Sequence, residues 1–153
     1  MRQKRAWLFK RGSQVTNFVD VPVITHDAAL EAVRVAIDEG AKRGVLVSVA
    51  IVDPSLGLVA FGKANGATPH SVETSRRKAN GAASTRRATG WMPDALAVTL
   101  PLGTGNLITN IPGGFPIKYE GKVVGGLGIA GGTVEQDAEV AAATIAAIGA
   151  DAE

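Results

Sequence analysis

The sequence predicts an α+β fold in which helices pack against a mainly antiparallel sheet. Two pairs of strand-like segments are joined by connections of hairpin length, Asp53–Gly57 and Glu120-Gly121. Parallel strands would require long crossovers instead. Helical patterns precede, separate and follow the two pairs, as expected for helices layered on a sheet. At 153 residues the chain has the length of one domain.

The first half of the chain begins with a helix whose N-cap is predicted at Thr25, with Asp27 favourably placed in its first turn. Apolar residues recur every three to four positions until Gly44. The segment Val45–Val52 is apolar and rich in β-branched residues, which predicts a strand covered on both faces. After the turn, Leu58–Lys63 is predicted to return as the second strand of a hairpin.

The second half is predicted to contain two further helices, a loop, a hairpin and a terminal helix. One helix begins at Thr68-Pro69, with proline at its first position, and runs to about Ala88. Gly81 within it costs about 1 kcal/mol relative to alanine, which indicates a tight contact there. The remaining predictions are a short helix in Trp91–Leu100, a loop with room for a short strand in Gly103–Pro112, strands Phe115–Tyr119 and Val123–Ala130, and a helix Val134–Ile148.

Glycines interrupt the last predicted strand at Gly125, Gly126 and Gly128. Glycine weakens a strand, so such positions often mark the close approach of another backbone or a ligand. The following Thr133–Gln136 fits a capping box. Free N–H groups at that helix start, beside small glycines, would form an anion-binding corner. Alternatively, these glycines only shape turns and packing.

Composition limits the class of protein and its location. Hydrophobic residues make up 46% and charged residues 20%, with a net charge of +2, as in ordinary globular proteins.

Residues 1–11 carry five basic and no acidic side chains, so residues 1–23 are predicted to be a basic arm and residues 24–150 a single domain. The arm could contact nucleic acid, a membrane surface or a neighbouring subunit, or be a flexible extension. Its apolar stretch is too short for a secretory signal, no apolar run reaches the about 20 residues of a membrane span, and no nucleic-acid motif is present. We therefore expect a cytoplasmic protein without membrane or nucleic-acid partners.

Few side chains could carry chemistry. There is no cysteine, and His26 and His70 are the two histidines. Each falls at a predicted helix start, where positive potential favours the neutral, ligating imidazole. Ser71, Ser75 and Lys78 fall on one side of their helix. Lys78, beside alanines, could be partly buried and bind a carboxylate, or it could belong to a solvated basic face.

Six short segments between Ile24 and Ile148 resemble, in order, those of one known family. They are Val49–Asp53, Asn65–Ala67, Ser75–Ala79, Gly113–Ile117, Val124–Gly128 and Gly131–Asp137. On these residues the chain resembles the GlcG/HbpS-like family, often labelled the haem-degrading domain and also found at the C-terminus of PduO-type proteins. Asn65 replaces the usual aspartate and Gly81 the usual threonine.

The resemblance implies a profilin-like fold, with a five-stranded antiparallel sheet flanked by helices, assembled into dimers, tetramers or octamers. It also implies either haem binding or degradation, or a place in glycolate, diol, aromatic-acid or corrinoid metabolism. No shared motif carries the iron ligand, so His70 or His26 would have to serve.

Our first hypothesis is an oligomeric protein that binds a small anionic ligand, with haem as the ligand the family implies. His70 is then the preferred iron ligand, and Arg76 or Lys78 pairs with carboxylates. The predicted ligand-binding residues are Asn65, Ser71, Ser75, Arg76, Gly113, Gly114, Pro116 and Gly132.

The alternative is a catabolic hydrolase, lyase or tautomerase acting on a small oxo- or hydroxy-carboxylic acid, for example from aromatic-compound degradation. Lys78 or Arg76 would hold the substrate carboxylate, and His70 or Glu73 would be the general acid/base, aided by loop N–H groups. A third option is an accessory subunit with no ligand of its own.

Overall fold

The computed structural model describes residues 15–153, and most of the predicted basic arm lies outside this range. The division at residues 23 and 24 stays a prediction. The elements are α1 (His26–Lys42), β1 (Ser48–Val52), β2 (Leu58–Lys63), α2 (Ser71–Thr85), α3 (Asp94–Gly103), β3 (Gly114–Tyr119), β4 (Lys122–Ala130) and α4 (Val134–Ala147). In this part of the chain, no helix has the length and apolar character needed to cross a membrane.

The strands form one antiparallel sheet in the order β2-β1-β4-β3. Both predicted hairpins are present, and the α+β class is confirmed. The five-stranded sheet implied by the resemblance is wrong for residues 15–153, where four strands are found. In the segment with room for another strand, Gly103–Pro112, Gly103 ends α3 and the rest is irregular, because Gly105 and Asn106 both have positive φ and Pro112 has no N–H donor.

The helices cover both faces of the sheet. On one face, α1 and α4 pack against alternate residues of the central strands, including Val49, Ile51 and Ile129. On the other face, α2 packs against Ala50 and Val52. The two faces explain why every residue of β1 is buried.

Close contact between α2 and β4 depends on the glycines of β4. A methyl group at Gly128 would lie 1.8 Å from the carbonyl oxygen of Ser75, and one at Gly126 would lie 2.3 Å from that of Ala79. The helix backbone therefore rests directly on the strand. This confirms the predicted close approach, and the approaching group is a backbone.

The predicted caps of α1 and α4 are both present. The hydroxyl of Thr25 accepts a hydrogen bond from the N–H of Ala28 at 3.2 Å. At α4 the capping box is complete: the N–H of Thr133 donates to Gln136 Oε1 (2.9 Å), and the N–H of Gln136 donates to Thr133 Oγ1 (3.2 Å).

The predicted limits of the second helix are wrong at both ends. The chain turns at Thr68–His70, where the N–H of Ser71 donates to the carbonyl of Thr68, so α2 begins after Pro69. It ends before Arg86, which takes the left-handed conformation with φ of 58°. Beyond that point the N–H of Thr89 donates to the carbonyl of Gly114, so the chain runs to β3 and no longer forms helix.

Candidate functional site

A pocket of about 300 Å³ lies where the start of α2, the end of β4 and the start of α4 meet. Helix α2 and the turn before it supply polar side chains, β4 and its exit supply small residues, and α4 supplies one apolar and one acidic side chain. Its lining residues are Thr68, His70, Thr74, Lys78, Ile111, Ala130, Gly131, Gly132, Val134 and Asp137. Among them are three residues singled out in the sequence: His70, Lys78 and Gly132.

A buried ion pair forms the floor of the pocket. Lys78 Nζ donates to Asp137 Oδ2 at 2.7 Å and to the carbonyl of Ile129 at 2.8 Å. The side chains of Lys78 and Asp137 are only 1% and 5% exposed. Asp137 Oδ1 also accepts the N–H of Gly132 at 2.8 Å. The pair thus ties α2 to the end of β4 and to the first turn of α4.

Two opposing effects act on the ammonium group of Lys78. Burial lowers the pKa of Lys78, since the charged form loses its hydration, while the hydrogen bond and the negative charge of Asp137 act in the opposite direction. Lysine has three N–H donors, and two of them are used by Asp137 and Ile129. In the described part of the chain the third N–H has no protein acceptor.

Gly113 and Gly114 leave space for this lysine. Gly113 has φ of +117°, and a methyl group there would lie 3.0 Å from Lys78 Nζ and 2.9 Å from Asp137 Cβ. A methyl group at Gly114 would lie 2.4 Å from the carbonyl oxygen of Lys78. Both glycines therefore pack against Lys78, although neither lines the pocket.

His70 stands at the rim of the pocket as the N-cap residue of α2. Its side chain makes no capping hydrogen bond, and the residue is exposed. The first turn of the helix is instead stabilised through the backbone carbonyl of His70, which accepts from the N–H of Thr74. The imidazole is therefore available to a ligand.

Other predicted site residues lie away from the pocket wall. The hydroxyl groups of Ser71 and Ser48 are hydrogen-bonded to each other at 2.8 Å, and Ser75 donates to the carbonyl of Val72. Ser71 and Ser75 are both buried. Asn65 is exposed in the loop after β2, and Pro116 is buried within β3.

Glu73, Arg76 and Arg77 form a surface cluster one turn along α2 from His70. Arg77 Nε donates to Glu73 Oε1 at 3.0 Å, and Arg76 Nε donates to Glu73 Oε2 at 3.2 Å. The hydrogen bonds from Arg76 and then Arg77 lower the pKa of Glu73, which therefore stays ionised near neutral pH. None of the three lines the pocket.

Sequence reasoning missed the role of Asp137. It follows the capping box in the first turn of α4, where an acidic side chain is favoured by the helix dipole in any protein. Its partner is 59 positions earlier in the chain. The position of Asp137 in a first helical turn is therefore a sufficient reason for an acidic residue there, and nothing nearby in the sequence indicated an ion pair with Lys78.

No cluster of three or more histidine, aspartate or glutamate side chains suited to a metal ion occurs in residues 15–153. To a metal ion that is not carried within a cofactor, the pocket therefore offers one imidazole and one carboxylate as ligands. The carboxylate, that of Asp137, is already paired with Lys78.

Comparison with known proteins gives a consistent result. A family model described as "Haem degrading protein HbpS-like" matches residues 24–146. Among curated protein sequences, none matches the chain.

Three solved structures illustrate the similarity. The protein ORFY of Klebsiella pneumoniae has a TM-score of 0.84 and 25% identity, over 90% of this chain and 98% of that one. HbpS, known from Streptomyces reticuli, has a TM-score of 0.78 and 30% identity, over 88% of this chain and 96% of that one. A structure described as a PduOC–haem complex has a TM-score of 0.79 and 27% identity, over 86% of this chain and 99% of that one.

Proposed function

Because this chain belongs to the HbpS-like family, we propose that it binds haem, a small anionic ligand, at the pocket beside His70. The observation that carries the proposal is an exposed imidazole, free of capping bonds, on the wall of a pocket. A structural relative over nearly its whole length is described as a complex with haem.

The residues of the pocket suit a haem group in two respects. Histidine is a common axial ligand of haem iron, and His70 is the one histidine on the wall. Ile111 and Val134, about two-fifths exposed, offer apolar surface for the porphyrin. When bound, haem would supply iron for redox or ligand-binding chemistry, and the protein would hold it and limit its contact with water.

The propionates require positive charge or N–H donors. Lys78 is already neutralised by Asp137, so we assign the propionate role to Arg76. Arg76 and Arg77 share the single carboxylate of Glu73, which leaves a net positive charge about two helical turns from His70. An arginine can bind a carboxylate through two parallel hydrogen bonds.

The test is a titration with haemin, monitored by the Soret band. We expect a shifted Soret band for the wild type and at least a tenfold weaker affinity for His70→Ala, because the axial ligand is lost. His26→Ala is a matched control, since His26 is the other histidine, is exposed, and lies at the start of α1. Absence of a Soret shift in the wild type, or equal affinity of His70→Ala and wild type, would refute haem binding through His70.

A second candidate function is the catabolic enzyme acting on a small oxo- or hydroxy-carboxylic acid. It is favoured by the presence of both His70 and Lys78 in the lining of one pocket, which is at the small end of the usual range of ligand-site volumes. Although Asp137 offsets the charge of Lys78, the third N–H of Lys78 would donate a hydrogen bond to the substrate carboxylate, and His70 would transfer a proton. Glu73 suits proton donation less well, because its lowered pKa keeps it ionised.

The same three proteins separate the two candidates. Turnover of small oxo- or hydroxy-acids by wild type and His26→Ala but not by His70→Ala, without a Soret shift, would support the enzyme. Haem binding without turnover would support the first proposal. The cytoplasmic location and the homo-oligomeric assembly expected from the sequence stay predictions.

A further inference from the structure

The segment between Arg87 and Lys118 is unusual in its charge. Asp94 is its single charged residue, although one residue in five is charged in the whole chain. The segment contains α3, the irregular loop after it, and the first residues of β3. A surface segment of a monomeric protein normally carries charged residues throughout.

The structure places most of this apolar segment outside the core. No residue of α3 is buried, and α3 packs extensively on no other helix or strand in residues 15–153. Val98 and Leu102, one helical turn apart, are 61% and 64% exposed. We define the α3 surface by the exposed large apolar side chains of this segment, which are Trp91, Val98, Leu102, Leu107 and Ile111.

We propose that the α3 surface is the interface through which a second copy of this chain binds. Large apolar surfaces on soluble proteins mark interaction sites, and interface centres lack charged residues and are enriched in aromatic side chains. In a two-fold arrangement the same surface lies on both sides of the interface.

The charges at this surface favour a second copy over a charged partner. Asp94 lies on α3, and the guanidinium of Arg87 lies 4.8 Å from the centre of the ring of Trp91, which belongs to the α3 surface. These two charges have opposite signs, so a second copy offers a complementary charge to each. A strongly acidic or basic partner would match only one of them and would face apolar side chains elsewhere.

The α3 surface is continuous with the pocket. Ile111 belongs to the surface and also lines the pocket beside His70 and Val134. A second copy bound at α3 would therefore lie next to the pocket opening and could narrow it. The proposal identifies a surface for the homo-oligomer that is expected from the sequence. It does not depend on haem binding, because its test measures the molar mass of the protein.

The experiment compares the molar mass of full-length variants by light scattering after size-exclusion chromatography. We expect a wild-type mass that is a multiple of 15.7 kDa. Leu102→Glu and Val98→Lys should each give a smaller species, because a buried charge without a partner opposes association. One variant adds a negative charge and the other a positive charge. Loss of association in both would therefore result from burial of a charge and not from repulsion by a particular charge on the second copy. Circular dichroism establishes that each variant is folded.

The matched control is Leu30→Glu, which introduces a charge at a leucine of α1 that is 48% exposed. Its mass should equal that of the wild type. A monomeric wild type would overturn the proposal and would point to another cover for α3, such as residues 1–14. An oligomeric wild type whose mass is unchanged in folded Leu102→Glu and Val98→Lys would also overturn it.

Discussion

Helices α2 and α3 follow each other in the chain but have opposite relations between composition and burial. Helix α2 is polar and carries four charged residues, yet eight of its residues are buried, including Lys78 and Asn80. Helix α3 carries one charged residue and has no buried residue. From hydrophobicity alone, α3 would be expected to be the buried helix and α2 the exposed one.

The difference shows that burial of α2 is decided by the size of groups at the contact. Glycines of β4 allow its backbone to approach the sheet, and small side chains such as Ala79 and Ala83 fill the space between them. Most of its buried polar groups have partners within the protein, as Lys78 has in Asp137, although Asn80 Oδ1 has no partner in the described residues. Helix α3 has apolar side chains but no such surface opposite it in the described part of the chain. We infer that its partner is another molecule.

The largest effect that would test this comparison comes from the contact beneath α2. We expect Gly128→Ala to lower the free energy of unfolding by more than about 3 kcal/mol, because its methyl group would lie 1.8 Å from the carbonyl oxygen of Ser75 and the helix would have to move. The measurement is urea unfolding followed by circular dichroism.

The matched variant on the other helix is Gly103→Ala, at the end of α3, where an added methyl group meets no atom within 4 Å. It should change the free energy of unfolding by no more than about 0.5–1 kcal/mol. Equal effects of the two substitutions would show that close packing does not distinguish the helices.

A second prediction concerns the buried ion pair of α2. Lys78→Met should lower the free energy of unfolding by about 3–5 kcal/mol, because it leaves the carboxylate of Asp137 buried without its cation. Adding Asp137→Asn removes that charge while retaining an acceptor for the N–H of Gly132. The double variant should therefore recover at least half of the loss in urea unfolding. A double variant less stable than Lys78→Met would contradict this account.

The smallest effect is expected on the exposed side of α2. Arg76 and Arg77 lower the pKa of Glu73 in the folded state, so the ionised carboxylate stabilises the fold above its unfolded pKa, and this contribution is lost as the pH falls through the folded pKa. Because the Glu73 side chain is about half exposed, Glu73→Gln should cost less than about 1 kcal/mol at pH 7.

Urea unfolding of Glu73→Gln and wild type should show this difference at pH 7 and lose it at acid pH, where the wild-type carboxylate is also neutral. Salt at about 1 M should reduce it as well, since screening is strong at that concentration. If the difference in the free energy of unfolding between the two proteins increased as the pH falls, this prediction would be contradicted.

Local features of the sequence predicted much of the fold. The caps at Thr25 and Thr133 and the two hairpin turns depend on residues within a few positions of one another, so they could be identified from short segments. Gly81 was expected to mark a tight contact, and a methyl group there would indeed lie 2.8 Å from the carbonyl oxygen of Thr109. The start of α2 was misplaced because Pro69 fits a turn as well as a first helical turn.

The candidate site was less predictable because its parts are distant in the chain. Lys78 was expected to bind a carboxylate of a ligand, whereas in the structure Asp137 supplies one from within the protein. His70, Lys78 and Gly132 share the pocket, but the hydroxyl groups of Ser71 and Ser75 are used in internal hydrogen bonds. Helical periodicity places residues on one face, and it does not show what the sheet places opposite that face.

Pro116 limits how the sheet itself can grow. It lies in β3, which is an edge strand, and it has no N–H to donate to an additional strand. Joining of two sheets along β3 would leave a gap in the hydrogen-bond ladder at this residue. Proline at this edge thus opposes strand-by-strand growth along β3, although it leaves β2, the other edge of the sheet, unaffected.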